Sequence, residues 1–248
     1  MRRKKMILGG CLLTAASLLA FTPEKQLTTT EKNPPADIEG AWEIEGNPKR
    51  VALLVDGYFT VTTYKENTPE FISTMGGTFS YDGSAMSGNI EFNSDAAEQV
   101  GENFTIPATL KGDKLSVTYP DGGSETWTRV DNAKENLAGV WRITERQNDG
   151  EMNEIPLRAR RTLKILTGTR FQWAAINVET GEFSGTGGGT YTFENGKYTE
   201  NIEFFSRDNS RVGMSLGFEG DLKNDNWHHK GKSSKGDPIY EVWSRFEE

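Results

Sequence analysis

Arg161 and Glu200 are the side chains with the clearest chemical potential, because each lies in a segment that otherwise alternates like a half-buried β-strand. Arg161 shares a strand face with Leu163, and Glu200 shares one with Tyr198 and Ile202, since alternate residues of a strand point the same way. A charge on an apolar face is costly unless it is paired or bound. We therefore expect both charges on inward faces, where they pair or hold a polar ligand.

The functional hypothesis is a ligand site in the second half of the chain. Arg161 and Glu200 would fix the polar end of the ligand, and its apolar part would lie on Trp173 and Tyr198. The alternative is an ion pair at a solvent-exposed rim, which contributes little stability. A register slip of one residue would turn both charges outward, so the sequence leaves this alternative open.

A run of basic residues with no acid among them surrounds this position. Such a run would attract an anionic ligand, for example a fatty acid, a glycan acid or a phosphate. The simpler interpretation is a strand face exposed to solvent, and the sequence favours it. The run consists of Arg158, Arg160, Arg161, Lys164 and Arg170.

The two histidines of the chain, His228 and His229, are adjacent. Neighbouring side chains on a strand point to opposite faces, so the pair is poorly suited to chelate one metal ion. The sequence favours an exposed loop beside Trp227 for this stretch. The aspartate spacing typical of calcium-binding loops is absent as well, so no metal site is predicted.

No catalytic residue and no cofactor are predicted. The chain has no Gly-x-Ser-x-Gly motif, no phosphate-binding glycine loop with a lysine, and no histidine placed with a serine or cysteine nucleophile. Glu200 and Glu203 are the acidic pair that we would test, but their three-residue spacing on a strand points them to opposite faces. Enzyme activity is therefore left open, with a binding role favoured.

The elements that would position these residues occur twice along the chain. Gly40-x-Trp is echoed by Gly139-x-Trp, and Trp127-x-Arg is echoed by Trp243-x-Arg, with a Gly-Gly-Thr-aromatic stretch between them in both copies. The offset grows from 99 residues at the first pair to 116 at the last, as longer loops in the second copy would require. The chain is therefore interpreted as a duplication.

Each copy reads as short antiparallel strands joined by tight turns. Val, Thr, Tyr and Phe alternate with polar residues, and Asp-Gly, Asn-Gly and Gly-Asp pairs supply the turns. About seven or eight such strands per hundred residues, in meander order, favour an up-and-down barrel or a sandwich. The predicted segments are a signal peptide at 1–20, an exposed linker at 21–37, a first domain at 38–131, a linker at 132–136 and a second domain at 137–248.

The motifs at the two ends of each copy together resemble the lipocalin (calycin) signature, as in uncharacterised exported bacterial proteins. The Gly-x-Trp at Trp42 and Trp141 would be the first-strand motif, and Arg129 and Arg245 the last-strand arginines. The resemblance implies that each Trp lies at the closed end of a barrel with the Arg across its ring, and that the open end binds a small, largely apolar molecule. The implied fold class is all-β, with two tandem antiparallel up-and-down lipocalin-like β-barrels after a signal peptide.

The first residues predict export. The basic residues 2–5 precede an apolar run over 6–21 that is shorter than the roughly 18 residues of a spanning helix. Cys11 ends a Leu-Gly-Gly-Cys stretch that resembles a bacterial lipobox, although too few apolar residues precede it and downstream cleavage is favoured. We expect a periplasmic, cell-surface or secreted protein, whose membrane association would come only from a lipid on this cysteine.

Charge separates the two copies and bears on their partners. Residues 37–131 carry 16 acidic and 6 basic residues, a net charge of −10, whereas residues 137–248 carry 17 acidic and 15 basic residues, a net charge of −2. The acidic first copy argues against nucleic acid as a partner. The favoured function is binding of a small lipid-like or glycan-like molecule in the second domain. The alternatives are a protein-interaction module with barrels filled by side chains, and a barrel enzyme on a sugar or lipid that uses Glu200.

Overall fold

The computed structural model describes residues 37–233 and 235–246 of the chain. The predicted signal peptide at 1–20, Cys11 and all but the last residue of the predicted linker lie outside the described residues. The export prediction therefore rests on the sequence alone. In the described part, no helix is long and apolar enough to cross a membrane.

The first barrel is a closed, antiparallel sheet of eight strands. Each strand pairs with the next along the chain, and pairing of the last strand with the first closes the sheet. A 3₁₀ turn, Ala97–Gln99, lies between the fifth and sixth strands. The strands are β1 Gly40–Ile44, β2 Lys49–Val55, β3 Tyr58–Lys65, β4 Glu70–Tyr81, β5 Ala85–Asn93, β6 Asn103–Lys111, β7 Lys114–Thr118 and β8 Ser124–Arg129.

The second barrel repeats this order with one added strand. Its sheet has nine strands, and pairing of the first with the last closes a barrel of eight, with β10 attached to β9 as a hairpin extension. A second 3₁₀ turn, Asn209–Arg211, occupies the place of the first one. The strands are β9 Gly139–Asn148, β10 Glu151–Glu154, β11 Arg160–Leu166, β12 Arg170–Asn177, β13 Phe183–Glu194, β14 Lys197–Phe205, β15 Ser215–Lys223, β16 Asn226–Lys232 and β17 Pro238–Arg245.

The all-β fold of two tandem up-and-down barrels predicted from the sequence is thus confirmed. One stretch differs from its prediction. The stretch around Trp227 and His229 was expected to be an exposed loop, but it forms β16, in which both side chains are buried. The flanking Asn, Gly and Lys residues hid the strand, because its inward face holds only these two large side chains.

The closed end of each barrel has the arrangement that the lipocalin resemblance implies. The guanidinium of Arg129 lies 4.1 Å from the ring centroid of Trp42, and that of Arg245 lies 4.0 Å from the ring centroid of Trp141. Each arginine also donates to backbone carbonyls of the residues that precede the first strand. A cation over an indole face is favourable, so the four residues close the barrels.

The glycine of each Gly-x-Trp motif has a steric reason at this closed end. Gly40 and Gly139 adopt φ angles of +134° and +137°, which L side chains rarely adopt. A Cβ on Gly40 would lie 2.0 Å from the carbonyl oxygen of Asp131, and one on Gly139 would lie 1.8 Å from a guanidinium nitrogen of Arg245. The motif therefore makes room for the end of the last strand.

The two barrels share one hydrophobic cluster. The outward faces of β2 and β11 meet there, with Leu53 from the first barrel and Leu163 and Ile165 from the second, all almost fully buried. Tyr64 and Phe204 add an aromatic contact across it, with ring centroids 5.1 Å apart. Strand β11 is consequently covered on both faces, by its own barrel and by the neighbouring one.

A buried polar network crosses the same interface. The Gln172 side chain accepts a hydrogen bond from Thr62 at 3.0 Å and donates to Thr74 at 2.9 Å and to Thr186 at 3.0 Å. Buried polar groups are costly without partners, and here both ends of the amide are satisfied. The network fixes the register of one barrel on the other.

Candidate functional site

The candidate site is a cavity inside the second barrel. Its volume is about 850 Å³, within the range of small-molecule sites. It opens at the end of the barrel that carries the second 3₁₀ turn and the β16–β17 connection, opposite the closed end. Its apolar lining includes Trp173, Phe205, Leu216, Phe218 and Ile239.

A buried ion pair lies in the wall of this cavity. Lys164 Nζ is 2.7 Å from Glu200 Oε1, and both side chains are only 6% exposed. The ammonium group is also 5.1–5.2 Å from the ring centroids of Tyr198, Trp227 and Trp243. The charge of Lys164 is therefore balanced by one carboxylate and by the faces of several aromatic rings.

Strand register shows which residues of the first barrel this pair replaces. The first-strand tryptophan pairs with Ala52 in the first barrel and with Lys164 in the second. On the neighbouring hairpin, Phe79 pairs with Gly88, and Tyr191 pairs with Glu200. The second barrel thus has an ion pair where the first has an alanine and a glycine.

The prediction that Arg161 points into the barrel is wrong. This side chain lies on the outward face of β11, where its guanidinium is 3.7 Å from Glu91 of the first barrel and 5.1 Å from the ring of Phe246. It does not meet Glu200, and it does not line the cavity. The apolar face of β11, with Leu163 and Ile165, packs on the first barrel, whereas Thr162 and Lys164 on its other face line the cavity.

The sequence analysis missed Lys164 because it took the face of Leu163 and Ile165 as the inward one, whereas Lys164 lies on the opposite face of β11. The observed register makes Lys164 equivalent to Ala52 of the first barrel and Arg161 equivalent to Lys49. Counting from the first-strand tryptophans would have found the lysine. Glu200 therefore does form an ion pair on the inward face, but its partner is Lys164 and not Arg161.

The two aromatic residues proposed for the ligand lie at different depths. Trp173 is half-buried and lines the cavity, with its ring 5.5 Å from that of Phe205. Tyr198 is fully buried in the core beneath the cavity, 4.8 Å from the ring of Trp227. Burial, together with the nearby Glu200 carboxylate, raises the pKa of Tyr198 well above its usual value. Trp173 is therefore placed to contact a ligand, whereas Tyr198 packs against the Lys164 ammonium of the ion pair.

A second group of titratable residues lines the same cavity. The carboxylate of Glu241 accepts hydrogen bonds from Arg146 at 2.6 and 3.1 Å and from Trp243 at 3.1 Å. Burial acts to raise the pKa of Glu241, but contact with His229 and the charge of Arg146 outweigh it and lower the pKa to about 2. Glu241 is therefore a carboxylate at neutral pH.

His229 is the buried base of this group. Its Nδ1 lies 3.7 Å from Glu241, and the side chain is 2% exposed. Burial and the nearby Lys164 ammonium lower the pKa of His229, which favours the neutral imidazole. The sequence analysis missed His229 as a cavity residue because it placed the stretch in a loop.

The two histidines, and likewise Glu200 and Glu203, point to opposite faces of their strands, as expected. His229 points into the barrel, whereas His228 is near the surface and contacts the Tyr240 hydroxyl at 3.0 Å. Glu200 points inward, whereas Glu203 lies at the barrel interface. Within the described ranges, no group of three or more His, Cys, Asp or Glu residues is arranged to hold a metal ion.

The basic run does not form a solvated strand face, contrary to the favoured interpretation. Arg160 and Lys164 line the cavity. Arg161 and Arg170 are buried at the interface, where Arg170 pairs with Glu203 at 2.8 Å. Arg158 is the member that is exposed without a role in either place. The alternation of β11 points Arg160, which is exposed, and Lys164 toward the cavity, and it points Arg161 toward the interface.

The cavity lining carries more positive than negative charge. It includes six basic and three acidic side chains. The acids are paired, with Lys164, Arg146 and Arg211 as their partners. The basic residues that have no ion pair with any described residue are Arg160, Arg207 and Lys235.

Comparisons with known proteins match part of the chain. A family described as "Domain of unknown function (DUF4488)" matches residues 136–248, the region of the second barrel. Among solved structures, the chain is similar to a lipocalin-like protein from Bacteroides uniformis ATCC 8492, determined by crystallography at 1.79 Å resolution. That match has 15% sequence identity and a TM-score of 0.32, and it covers 45% of this chain and 100% of the other. No match was found among the curated proteins.

Proposed function

We propose that the second barrel binds a small, partly apolar molecule that carries an anionic group. The observation that carries this proposal is the cavity of about 850 Å³, which joins an aromatic wall to a mouth with surplus positive charge. A barrel filled by its own side chains, as the interaction-module alternative requires, would leave no such space.

The apolar part of the ligand would lie on Trp173, Phe205 and Phe218. All three side chains line the cavity; Trp173 and Phe205 are partly buried, and Phe218 is buried. Covering apolar surface is worth roughly 25 cal/mol per Å², so a hydrocarbon or ring system gains most of its affinity here.

The anionic part would lie near the mouth, beside Arg160, Arg207 and Lys235. The guanidinium of Arg207 is held in place by a hydrogen bond to the carbonyl of Ser184 at 2.7 Å and lies 6.0 Å from the Trp173 ring. Arginine forks match carboxylate and phosphate oxygens well. Lys164 and Arg146 are not available to the ligand in this way, because they already form ion pairs with Glu200 and Glu241.

The test compares carboxylic acids with their methyl esters as ligands of the full chain. A ligand that binds only the folded state adds RT ln(1 + L/Kd), where L is the free ligand concentration, to the free energy of unfolding and so raises the melting temperature. Fatty acids and sterol-like acids are expected to stabilise the protein and to quench Trp173, whereas their uncharged esters have a weaker effect. Equal stabilisation by acid and ester would refute the anionic part of the proposal.

A matched pair of variants locates the charge. The single variant R207Q is expected to weaken acid binding by about tenfold, equivalent to about 1.4 kcal/mol. R158Q removes the same charge from an exposed residue outside the cavity and should bind as the wild type does. If both variants weaken binding equally, only the overall charge matters and the site is elsewhere.

A further inference from the structure

The first barrel has a cavity of its own, with a different chemistry. Its volume is about 470 Å³, and it lies between the closed end at Trp42 and the first 3₁₀ turn. Its lining holds two charged residues, Arg50 and Glu102. The remaining wall is largely apolar and includes Val61, Met75, Met86, Phe104, Ile106 and Trp127.

The matched positions of the two barrels account for this difference. Equivalent positions in the two barrels follow from the strand pairings within each barrel, counted outward from Trp42 in the first and Trp141 in the second. At four such positions the first barrel has Ala52, Val61, Leu115 and Val117, where the second has Lys164, Trp173, Trp227 and His229. The first barrel thus keeps smaller, uncharged side chains at every one of these four positions.

The mouth of the first cavity offers no cation for an anionic ligand. Arg50 forms an ion pair with Glu125, and its guanidinium lies 4.9 Å from the ring centroid of Trp127. The Tyr119 hydroxyl donates to the other oxygen of Glu125 at 2.7 Å. Glu102 is exposed at the rim, and residues 37–131 carry a net charge of −10. An anion would therefore be repelled from this opening.

An apolar space of this size is poorly suited to water. A buried water needs two to four polar partners, and most of this wall has none to give. The lining side chains also lose dispersion contacts wherever the space stays empty. An uncharged apolar molecule would restore those contacts and bury apolar surface.

We propose that the first barrel is a second, independent binding site, which takes an uncharged, largely apolar molecule. The chain then holds two sites of different charge selectivity, one in each barrel. This site does not depend on the ion pairs of the second barrel, so either proposal can fail without the other.

The experiment uses two fluorescent probes that differ by one charged group. N-phenyl-1-naphthylamine is uncharged, and 1-anilinonaphthalene-8-sulfonate is the same aryl amine with a sulfonate. The full chain is expected to bind the uncharged probe in the first barrel with an increase in fluorescence, and the sulfonate in the second barrel. Absence of any binding of the uncharged probe to the wild-type protein would overturn the proposal.

Variants at one matched position assign each probe to a barrel. Val61 and Trp173 occupy the same place in the two barrels. V61W fills the first cavity and should weaken the uncharged probe about tenfold, or about 1.4 kcal/mol, while sulfonate binding stays unchanged. W173V is the reciprocal variant and should weaken only the sulfonate. Loss of the uncharged probe in W173V but not in V61W would place it in the second barrel and overturn the proposal.

A measurement on the wild-type protein avoids any dependence on the folding of V61W. Benzophenone is uncharged, and on illumination it inserts into nearby C–H bonds, with methionine a preferred target. Met75 and Met86 line the first cavity, whereas the lining of the second contains no methionine among the described residues. Labelling of peptides with Met75 or Met86 supports the proposal. Labelling confined to peptides of the second barrel would contradict it.

Discussion

Lys164 Nζ lies 2.7 Å from Glu200 Oε1 inside the second barrel. The matched residues of the first barrel are Ala52 and Gly88. The two barrels have the same strand order and the same closed end, yet one has charges in its wall and the other does not. Duplication therefore preserved the frame while the cavities diverged.

The ion pair is expected to be strongly coupled, because both side chains are 6% exposed. E200Q leaves the Lys164 ammonium without its carboxylate and should lower the free energy of unfolding by about 3 kcal/mol. The double variant K164M/E200Q should cost clearly less than the sum of the two single variants. Urea denaturation of the four proteins gives the coupling energy.

The exposed pair Lys65 and Glu70 is the control for this cycle. Lys65 Nζ lies 2.6 Å from Glu70 Oε2, a distance similar to that of the buried pair, but the two side chains are 37% and 50% exposed. The same substitutions there should give a coupling energy below about 1 kcal/mol. Equal coupling in the two pairs would show that the barrel interior does not strengthen the interaction.

The amide of Gln172 is expected to stabilise the contact between the barrels. Q172M keeps the length of the side chain but removes three hydrogen bonds to threonine hydroxyls. Loss of partners for buried polar groups should cost about 2 kcal/mol and lower the melting temperature. Q147M removes a glutamine whose amide bonds to a backbone carbonyl on the surface of a hairpin, and its effect should be small. A similar loss in both variants would contradict the role of the interface network.

The arginines at the closed ends are expected not to tolerate lysine. R129K retains the charge near Trp42 but loses the planar group that stacks on the ring and donates to two carbonyls. We expect a loss of about 1–2 kcal/mol in the free energy of unfolding, and R245K should behave alike. R158K, at an exposed position, should be neutral. Neutral behaviour of R129K would mean that charge alone closes the barrel.

Buried His229 is expected to make the protein less stable as the pH falls. Its pKa is lowered by burial and by Lys164, so the unfolded chain binds a proton more readily than the folded one. The contribution of neutral His229 to the free energy of unfolding is therefore complete above the pKa of about 6.5 that this histidine has in the unfolded chain. It declines as the pH falls from there toward the lower pKa of the folded state. Glu241, with its pKa of about 2, adds a further loss only at pH values below about 4.5.

The matched variant H229V tests this dependence, because the first barrel has Val117 at the same position. Melting temperatures between about pH 7 and pH 5 should fall less steeply for H229V than for the wild type. H228V removes the histidine of the outward face and should keep the wild-type slope. An unchanged slope in H229V would assign the dependence to other groups.

Local sequence patterns determined the frame of this protein. The alternation of apolar and polar residues and the tight turns predicted strands, since strand faces and turn geometry depend on near neighbours. The repeated motifs at Trp42 and Trp141, with Arg129 and Arg245, predicted both closed ends. Glu200 was correctly predicted to face inward, opposite in direction to Glu203.

Tertiary structure decided which cation meets Glu200. Strand β11 is buried on both faces, by the interior of its own barrel and by the outer face of the first. Its apolar face, with Leu163 and Ile165, packs on the first barrel, whereas its inward face carries Thr162 and Lys164. The rule that the apolar face of a strand points to the interior therefore selected Arg161 instead of Lys164. Likewise, His229 became a cavity residue only through pairing of β16 with β15 and β17, which are contacts between strands that sequence spacing alone does not encode.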